Sequence, residues 1–313
     1  MGMYCFGIDV GGTSVKCGLF LTNGTLVEQW EIPTRLENNG SSILPDVADA
    51  IKTKLDERGI TKDNVDGVGI GIPGPVNENG EVPMAVNLHW GFKAVASELS
   101  ALTGLPAKAA NDANIAALGE AWKGAAEGAK NVILVTLGTG VGGGIILGGK
   151  MLSGVNGAGG EIGHIQVNDD ETEVCGCGRK GCLEQYTSAT GIVRMANTLL
   201  NTTDRPSALR NVQYVSAKEV FDAAKQGDEL AAEIVDRHGK CLGKALAQIA
   251  CVVDPEVFVI GGGVSKAGTI ITDTTEKYFK EYAFHACKNT KFTLATLGND
   301  AGMYGGACAI MND

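Results

Sequence analysis

No uninterrupted apolar run in the sequence approaches the ~20 residues that a membrane-spanning helix needs, so no helical membrane span is expected. The N-terminus, "MGMYCFGIDVGG", lacks a basic region followed by a long apolar stretch, so no secretory signal is expected either. Basic side chains are in deficit: 26 Lys and Arg stand against 36 Asp and Glu, a formal charge of −10. A nucleic-acid surface would need a basic stripe, and this balance argues against one. An anionic substrate would need a local cationic patch instead. Neither a Walker P-loop nor a Rossmann G-x-G-x-x-G spacing occurs. These absences lead to the expectation of a cytoplasmic protein with neither a nucleic acid nor a membrane as partner.

What the sequence does contain is enough chain for two domains of ordinary size. It has 313 residues, 44% hydrophobic and 20% charged, and each half can bury its own core. In a reducing compartment its nine cysteines would not form a disulfide framework. Cys175 and Cys177 are also too close in sequence to bridge without strain. Cys5, Cys17, Cys241, Cys251, Cys287 and Cys308 lie in apolar segments and are expected to act as small core residues.

The pattern from residue 3 to 32 reads as three antiparallel strands: "MYCFGIDV", the turn "GGT", "SVKCGLF", the turn "TNG", then "TLVEQWEI". Ile43, Val47, Ile51 and Leu55 recur every four residues and mark one helix face, with Pro45 tolerable in its first turn. "VDGVGIGIPGPV" reads as a buried strand entering a Gly-Pro loop. "AKAANDANIAALGEAW" reads as a short strand, a polar turn and a helix starting near Asp112. From Asn131 the opening plan repeats in "NVILVTLGTGVGGGIILGG", again strand, Gly-Thr turn, strand. Two such hairpins, each opening an α/β segment, predict two related domains facing a shared cleft. Further helices are expected over about 184–201 and 228–252, and Ser216 with Glu219 has capping-box spacing. "EVFVIGGGVS" reads as a strand entering a third glycine turn. The expected division is an N-terminal α/β domain over 1–116, with a C-terminal helix over about 301–313 packing back on it, and a larger α/β domain over 117–300.

Three glycine turns therefore follow apolar strands: "DVGGT", "LGTGVGG" and "VIGGGVS". Any one could be a plain tight hairpin. Glycine lets backbone N–H groups approach an anion, Thr13, Thr139 and Ser265 add hydroxyl donors, and Lys16 could add a positive charge. Three at strand ends favour a ligand, since α/β proteins gather ligands where strands terminate. Asp112, in "NDAN", could be a helix N-cap or a base that takes a proton from a substrate hydroxyl. His164, in "EIGH", is followed by Cys175, Cys177 and Cys182 at separations of eleven, two and five. These could be free thiols, but one imidazole and three thiolates make a closed tetrahedral zinc set, structural because it leaves no open position, and zinc is the expectation.

Together "DVGGT", "NDANIAALGE", "LGTGVGGG", "GEIGH" and "CGCGRKGCLE" resemble the ROK family (repressors, open reading frames and sugar kinases), in order and over nearly the whole chain. The stretch "GVNGAGGEIGH" through "CLEQYTSATGIVR" looks most like the family's bacterial glucokinases. The resemblance implies the actin-like ATPase (ribonuclease H-like) fold, an α/β architecture of two domains closing on sugar and ATP. It implies ATP-dependent phosphorylation of a hexose, glucose first, at the 6-hydroxyl. Asp112 matches the family's catalytic base. Asn87, Asn111, Glu161, His164 and Glu184 match sugar ligands, as does Asp112 itself. Asp9, Gly11, Gly12, Thr13 and Lys16 fall in the first phosphate hairpin, with Asp9 near Mg²⁺. Gly138, Thr139, Gly140 and Gly142 fall in the second hairpin, and Gly262 in the third turn. His164, Cys175, Cys177 and Cys182 would hold structural Zn²⁺ and set His164 and Glu184 towards the sugar. The family's repressors carry an N-terminal helix-turn-helix, and this sequence starts at its first strand. A homodimer or higher homo-oligomer is expected.

Overall fold

Strand β1 (Tyr4–Val10) is apolar along almost its whole length because both of its faces are covered. In the computed structural model, which describes residues 2–311, it is the centre of a five-stranded sheet. That sheet has the order β3-β2-β1-β4-β5, with β2 Ser14–Leu21, β3 Leu26–Pro33, β4 Val65–Ile72 and β5 Ala107–Asn111. β1, β2 and β3 are antiparallel, and β4 and β5 run parallel to β1. A second sheet has the order β10-β9-β6-β7-β8, built from β6 Val132–Leu137, β7 Val141–Leu147, β8 Lys150–Met151, β9 Val257–Gly261 and β10 Lys291–Leu294. Read from β8 to β10, the connectivity matches the first sheet strand for strand. The repeat seen in the sequence is therefore a repeat of topology.

The chain divides into two compact units. The first comprises Met1–Lys130, Gly144–Gly160 and Thr296–Asp313; the second comprises Asn131–Gly143 and Glu161–Ala295. This division differs from the one expected at residue 116. Helix Asp112–Lys123 lies against helix Ala301–Met311, and that packing keeps residues 117–130 in the first unit. Residues 312 and 313, part of the expected terminal helix, lie outside the described residues.

Helix Ala301–Met311 belongs to the first unit and approaches its strands through glycine. A Cβ on Gly7 would lie 1.8 Å from the Met303 carbonyl oxygen, and one on Gly305 would lie 1.7 Å from that of Ile115. Nothing larger than hydrogen fits at either place. The loop entering this helix is held by Glu120, fully buried, whose carboxylate accepts from the backbone N–H of Ala125 (2.8 Å), Leu297 (2.9 Å) and Thr296 (3.2 Å). A buried carboxylate persists only when hydrogen-bonded, and this one anchors the loop in return. On the other face of the sheet, helix Ile43–Arg58 buries Ile43, Val47, Ile51 and Leu55, the periodic set seen in the sequence.

In the second unit the capping box of Ser216 and Glu219 is formed, and the long helix spans Glu229–Val253. The helix expected over 184–201 is two pieces, Glu184–Thr187 and Ala189–Thr202, separated by an extended Ser188 (φ −74°, ψ 167°) whose side chain caps the second. All nine cysteines are free; Cys251 is exposed and Cys241 half-buried, so these two are not the core residues expected. Among the described residues, no helix is long and apolar enough to cross a membrane.

Candidate functional site

In the first unit the parallel strands β1, β4 and β5 end in register: Asp9 pairs with Gly71, and Ile72 with Asn111. Asp9 and Asp112 therefore flank the carboxyl end of β4, where a Cβ on Gly71 would lie 3.6 Å from Asp9 Oδ1 and 3.7 Å from Asp112 Cα, and α/β folds collect ligands at such strand ends. Asn111 is the N-cap of helix Asp112–Lys123. Its Oδ1 accepts from the N–H groups of Ala113 (2.9 Å) and Asn114 (3.2 Å), and its Nδ2 donates to the Gly74 carbonyl (3.0 Å). Asp112 is the first helical residue, and its Oδ1 also accepts from Ala113 N–H at 2.8 Å. Capping, which the sequence alone left between cap and base for Asp112, is thus carried chiefly by Asn111.

The turn after β1 leaves Gly12 in open space and is closed by Gly11 N–H donating to the Ser14 carbonyl (3.0 Å). Thr34 braces it, its hydroxyl donating to the Gly11 carbonyl (2.7 Å) and its N–H to that of Thr13 (3.0 Å). Lys16 Nζ pairs with Asp300 Oδ1 at 3.1 Å and lies 3.9 Å from Glu31 Oε1. Burial raises the Asp9 carboxyl to about 6; Asp112 and Asp300 push it the same way, and Lys16 pulls it down. Asp300 was not singled out from the sequence, since an aspartate directly before a helix reads as a cap. Asn87 is exposed on the short turn Val86–Leu88, in a loop tied down by Trp90 Nε1 donating to the Gly40 carbonyl (3.0 Å).

In the second unit the hairpin after β6 is held by one short segment. Ala189 N–H donates to the Gly138 carbonyl (2.8 Å), Thr190 Oγ1 to that of Thr139 (2.8 Å), and Val141 N–H to Glu184 Oε2 (2.9 Å). Gly142 follows inside β7. Beside this hairpin, Gly262 has φ 81° and lies so close to Leu137 that a Cβ would sit 2.5 Å from its carbonyl oxygen. The Ser265 hydroxyl, expected to add a donor for an anion, instead donates to the Gly262 carbonyl (2.7 Å).

Glu161, His164 and the three cysteines form one group. Nδ1 of His164 is 3.9 Å from Cys175 Sγ, Cys177 Sγ is 3.6 Å from Cys182 Sγ, and the four ligand atoms all lie within 4.8 Å of one another. Zn–S bonds near 2.3 Å and Zn–N bonds near 2.0–2.1 Å place tetrahedral ligand atoms about 3.6–3.8 Å apart, so the set fits a metal of that kind. Nε2 of His164 faces Glu161 Oε2 at 3.9 Å, and Cys175 Sγ is also 3.7 Å from Glu184 Oε1. The exposed Cys177 thiol is lowered to about 6, chiefly by the Arg179 backbone N–H, whereas burial pushes Cys182 up to about 12.

The loop that carries these cysteines is fastened by a polar network that sequence reading missed. Glu171 Oε2 accepts from Tyr186 Oη (2.5 Å) and Arg194 Nη2 (2.6 Å); Arg194 also reaches Glu173 (2.9 Å) and the Gln185 carbonyl (3.1 Å). The Arg194 guanidinium holds the Glu171 carboxyl down at about 2. An Arg ten residues after "CLE" carries no motif signal by itself.

The family model described as "ROK family" matches residues 5–313. A glucokinase of Halalkalibacterium halodurans is 44% identical over 96% of this chain and 92% of its own. One of Thermotoga maritima is 34% identical over 97% and 96%. Among solved structures, a ROK family glucokinase from Streptomyces griseus in complex with glucose and AMPPNP is 33% identical, covers 98% of each chain, and superposes with a TM-score of 0.74. The two mixed sheets with their helices are the actin-like ATPase fold of these sugar kinases. With a match that starts in the first strand and runs through the last helix, this chain belongs to the ROK family.

Proposed function

We infer that the chain is an ATP-dependent glucokinase that transfers a phosphoryl group to the 6-hydroxyl of glucose. The observation that carries this reading is Asp112. It stands at a strand end beside Asp9, with Asn111 as the cap of its helix, in a chain 44% identical to a glucokinase. Asp112 orients the 6-hydroxyl and takes its proton late, because phosphoryl transfer relies mainly on positioning and charge stabilisation. Asn87, Asn111, Glu161, His164 and Glu184 recognise sugar hydroxyls. Asn111 has both ends of its amide engaged, so one amide hydrogen is left for that task.

Backbone N–H groups of Gly12, Thr13, Thr139 and Gly140, with the Gly262 turn, receive the nucleotide phosphates, while the N–H groups of Gly11 and Gly138 close the two turns onto the Ser14 and Gly140 carbonyls (3.0 Å each). Lys16, paired with Asp300, supports Asp9 electrostatically rather than reaching out alone. Asp9 is the residue to hold Mg²⁺, which when bound neutralises phosphate charge. His164 Nδ1 and the three thiolates would hold Zn²⁺, which supplies structural cross-linking and no chemistry. A cytoplasmic setting keeps those thiols reduced.

The test is a coupled assay with ATP over a panel of hexoses. Glucose should give the highest kcat/KM. Turnover of N-acetylmannosamine, N-acetylglucosamine, fructose or allose above glucose would reassign the sugar, and sugar binding without turnover would make the chain a sensor.

A further inference from the structure

The break at Ser188 has a structural consequence beyond interrupting a helix. Because Ser188 is extended, the seven residues Glu184–Thr190 turn along the second hairpin and clip it at three points. Ala189 holds the Gly138 carbonyl, Thr190 holds the Thr139 carbonyl, and the Glu184 carboxylate holds the Val141 N–H. Two of these contacts involve only fixed or exposed groups of the chain. The third uses one oxygen of the side chain that the proposed function assigns to the sugar. Glu184 Oε2 is committed to Val141 at 2.9 Å, and Oε1, 3.7 Å from Cys175 Sγ, remains able to accept from a hydroxyl.

We propose that Glu184 is the joint through which sugar binding tightens the nucleotide hairpin. A hydroxyl donated to Oε1 fixes the carboxylate, and a fixed carboxylate holds the Val141 N–H in the geometry that leaves the preceding N–H groups turned to phosphate. A carboxylate that wanders between rotamers holds that amide only part of the time. Linkage makes the effect reciprocal: whatever factor glucose adds to nucleotide affinity, the nucleotide adds to glucose affinity. Glu184 is in this respect a positioning residue, acting on the phosphates through Val141. The inference rests on the glucokinase reading, in which Glu184 meets the sugar and the hairpin meets the phosphates.

One substitution tests the joint without altering the carboxylate. A Cβ on Gly140 would lie 2.2 Å from Glu184 Oε2, while the Gly140 backbone is outside the left-handed region and accepts alanine. Gly140→Ala therefore pushes the carboxylate off Val141 and leaves its charge in place. The experiment is calorimetric titration of the full chain with AMPPNP and Mg²⁺, with and without saturating glucose, for wild type, Gly140→Ala, Glu184→Ala and Thr190→Val. In parallel, the Val141 amide is followed by NMR during glucose titration without nucleotide.

In the wild type, glucose should tighten AMPPNP binding by a factor in the range of about 5–150, and the Val141 amide should shift. In Gly140→Ala and Glu184→Ala the factor should fall to near one and the amide should no longer respond. Thr190→Val, which removes an anchor unrelated to the sugar, should weaken AMPPNP equally with and without glucose and keep the factor. If Glu184→Ala no longer binds glucose, Gly140→Ala decides. The joint is overturned if Gly140→Ala keeps the wild-type factor, or if a wild type that binds both ligands shows no factor. A wild type that binds neither glucose nor AMPPNP overturns the glucokinase reading itself, and the joint with it.

Discussion

Asp9 and Asp112 stand at the ends of paired strands, whereas Glu161, His164 and Glu184 stand on a stretch where only short helical turns and isolated bridges interrupt loop. The first region is rigid because strands, glycine-tight helix contacts and the buried Glu120 fix its backbone. The second, from Glu161 to Thr187, has little core of its own: Ile162, Cys175, Cys182 and Leu183 are its main buried apolar groups. It is fastened by side chains instead, through the Cys/His group and the Glu171–Arg194 network. Under the proposed function, regular secondary structure would position the group that acts on the reacting proton, and local staples would position the groups that recognise the substrate. The comparison can be broken by changing one member of each region.

Asp112→Asn should have the largest effect on rate. A positioned acid–base group is worth roughly 10²–10⁴, and Asn still hydrogen-bonds the hydroxyl, so kcat falls while glucose binding persists in calorimetry. Next is the staple. Closed zinc sites supply roughly 10–16 kcal/mol of apparent binding free energy in small peptides, and even a tenth of that is about tenfold in affinity. Cys177→Ala, or chelation of the metal, should therefore raise the glucose Kd by about tenfold or more. Hydrogen exchange should accelerate over 161–187 and stay unchanged over 107–123. Elemental analysis should find one zinc per chain in the wild type.

Glu171→Gln should cost stability in the second unit. The Glu171 carboxyl titrates at about 2 instead of 4.5, which corresponds to about 3 kcal/mol at neutral pH. Because the native value is depressed, this stability is full above pH 4.5 and lost as pH falls towards 2. Denaturation of the wild type and variant should converge at the acid end. Asp9 has the opposite sign. Its native value of about 6 lies above the ordinary 3.8, so the folded chain holds the proton longer and stability falls as pH rises through that window. Asp9→Asn should raise stability without nucleotide by up to about 3 kcal/mol at pH 7.5, with the gain vanishing below pH 4, and should abolish turnover. Thermal melts across pH give both signs in one experiment.

The first region was largely legible in the sequence because its signals are local. An apolar run ending in "DVGGT" specifies a strand and turn, and "NDAN" specifies a helix start. The assignment of the cap to Asn111 rather than Asp112 needed coordinates, since either aspartate or asparagine can cap. Asp300 was hidden because its partners, Lys16 and Asp9, lie far away in sequence. In the second region the His and Cys spacing was readable because metal chemistry restricts ligand types. The Ser188 break was not, since "SATGIVR" keeps an apolar rhythm through it and the competing hydrogen bonds come from Gly138 and Thr139. The two-unit division was misplaced for a similar reason: helix Asp112–Lys123 is assigned by its packing on Ala301–Met311, a contact no local pattern encodes.

The separation of chemistry from recognition is tested most directly by measuring kcat and glucose Kd on the same preparations of wild type, Asp112→Asn and Cys177→Ala. The account predicts that Asp112→Asn loses kcat by roughly 10²–10⁴ with glucose Kd nearly unchanged, while Cys177→Ala weakens glucose binding and leaves AMPPNP binding largely intact. Near-wild-type kcat in Asp112→Asn, or unchanged glucose affinity in Cys177→Ala, would contradict it.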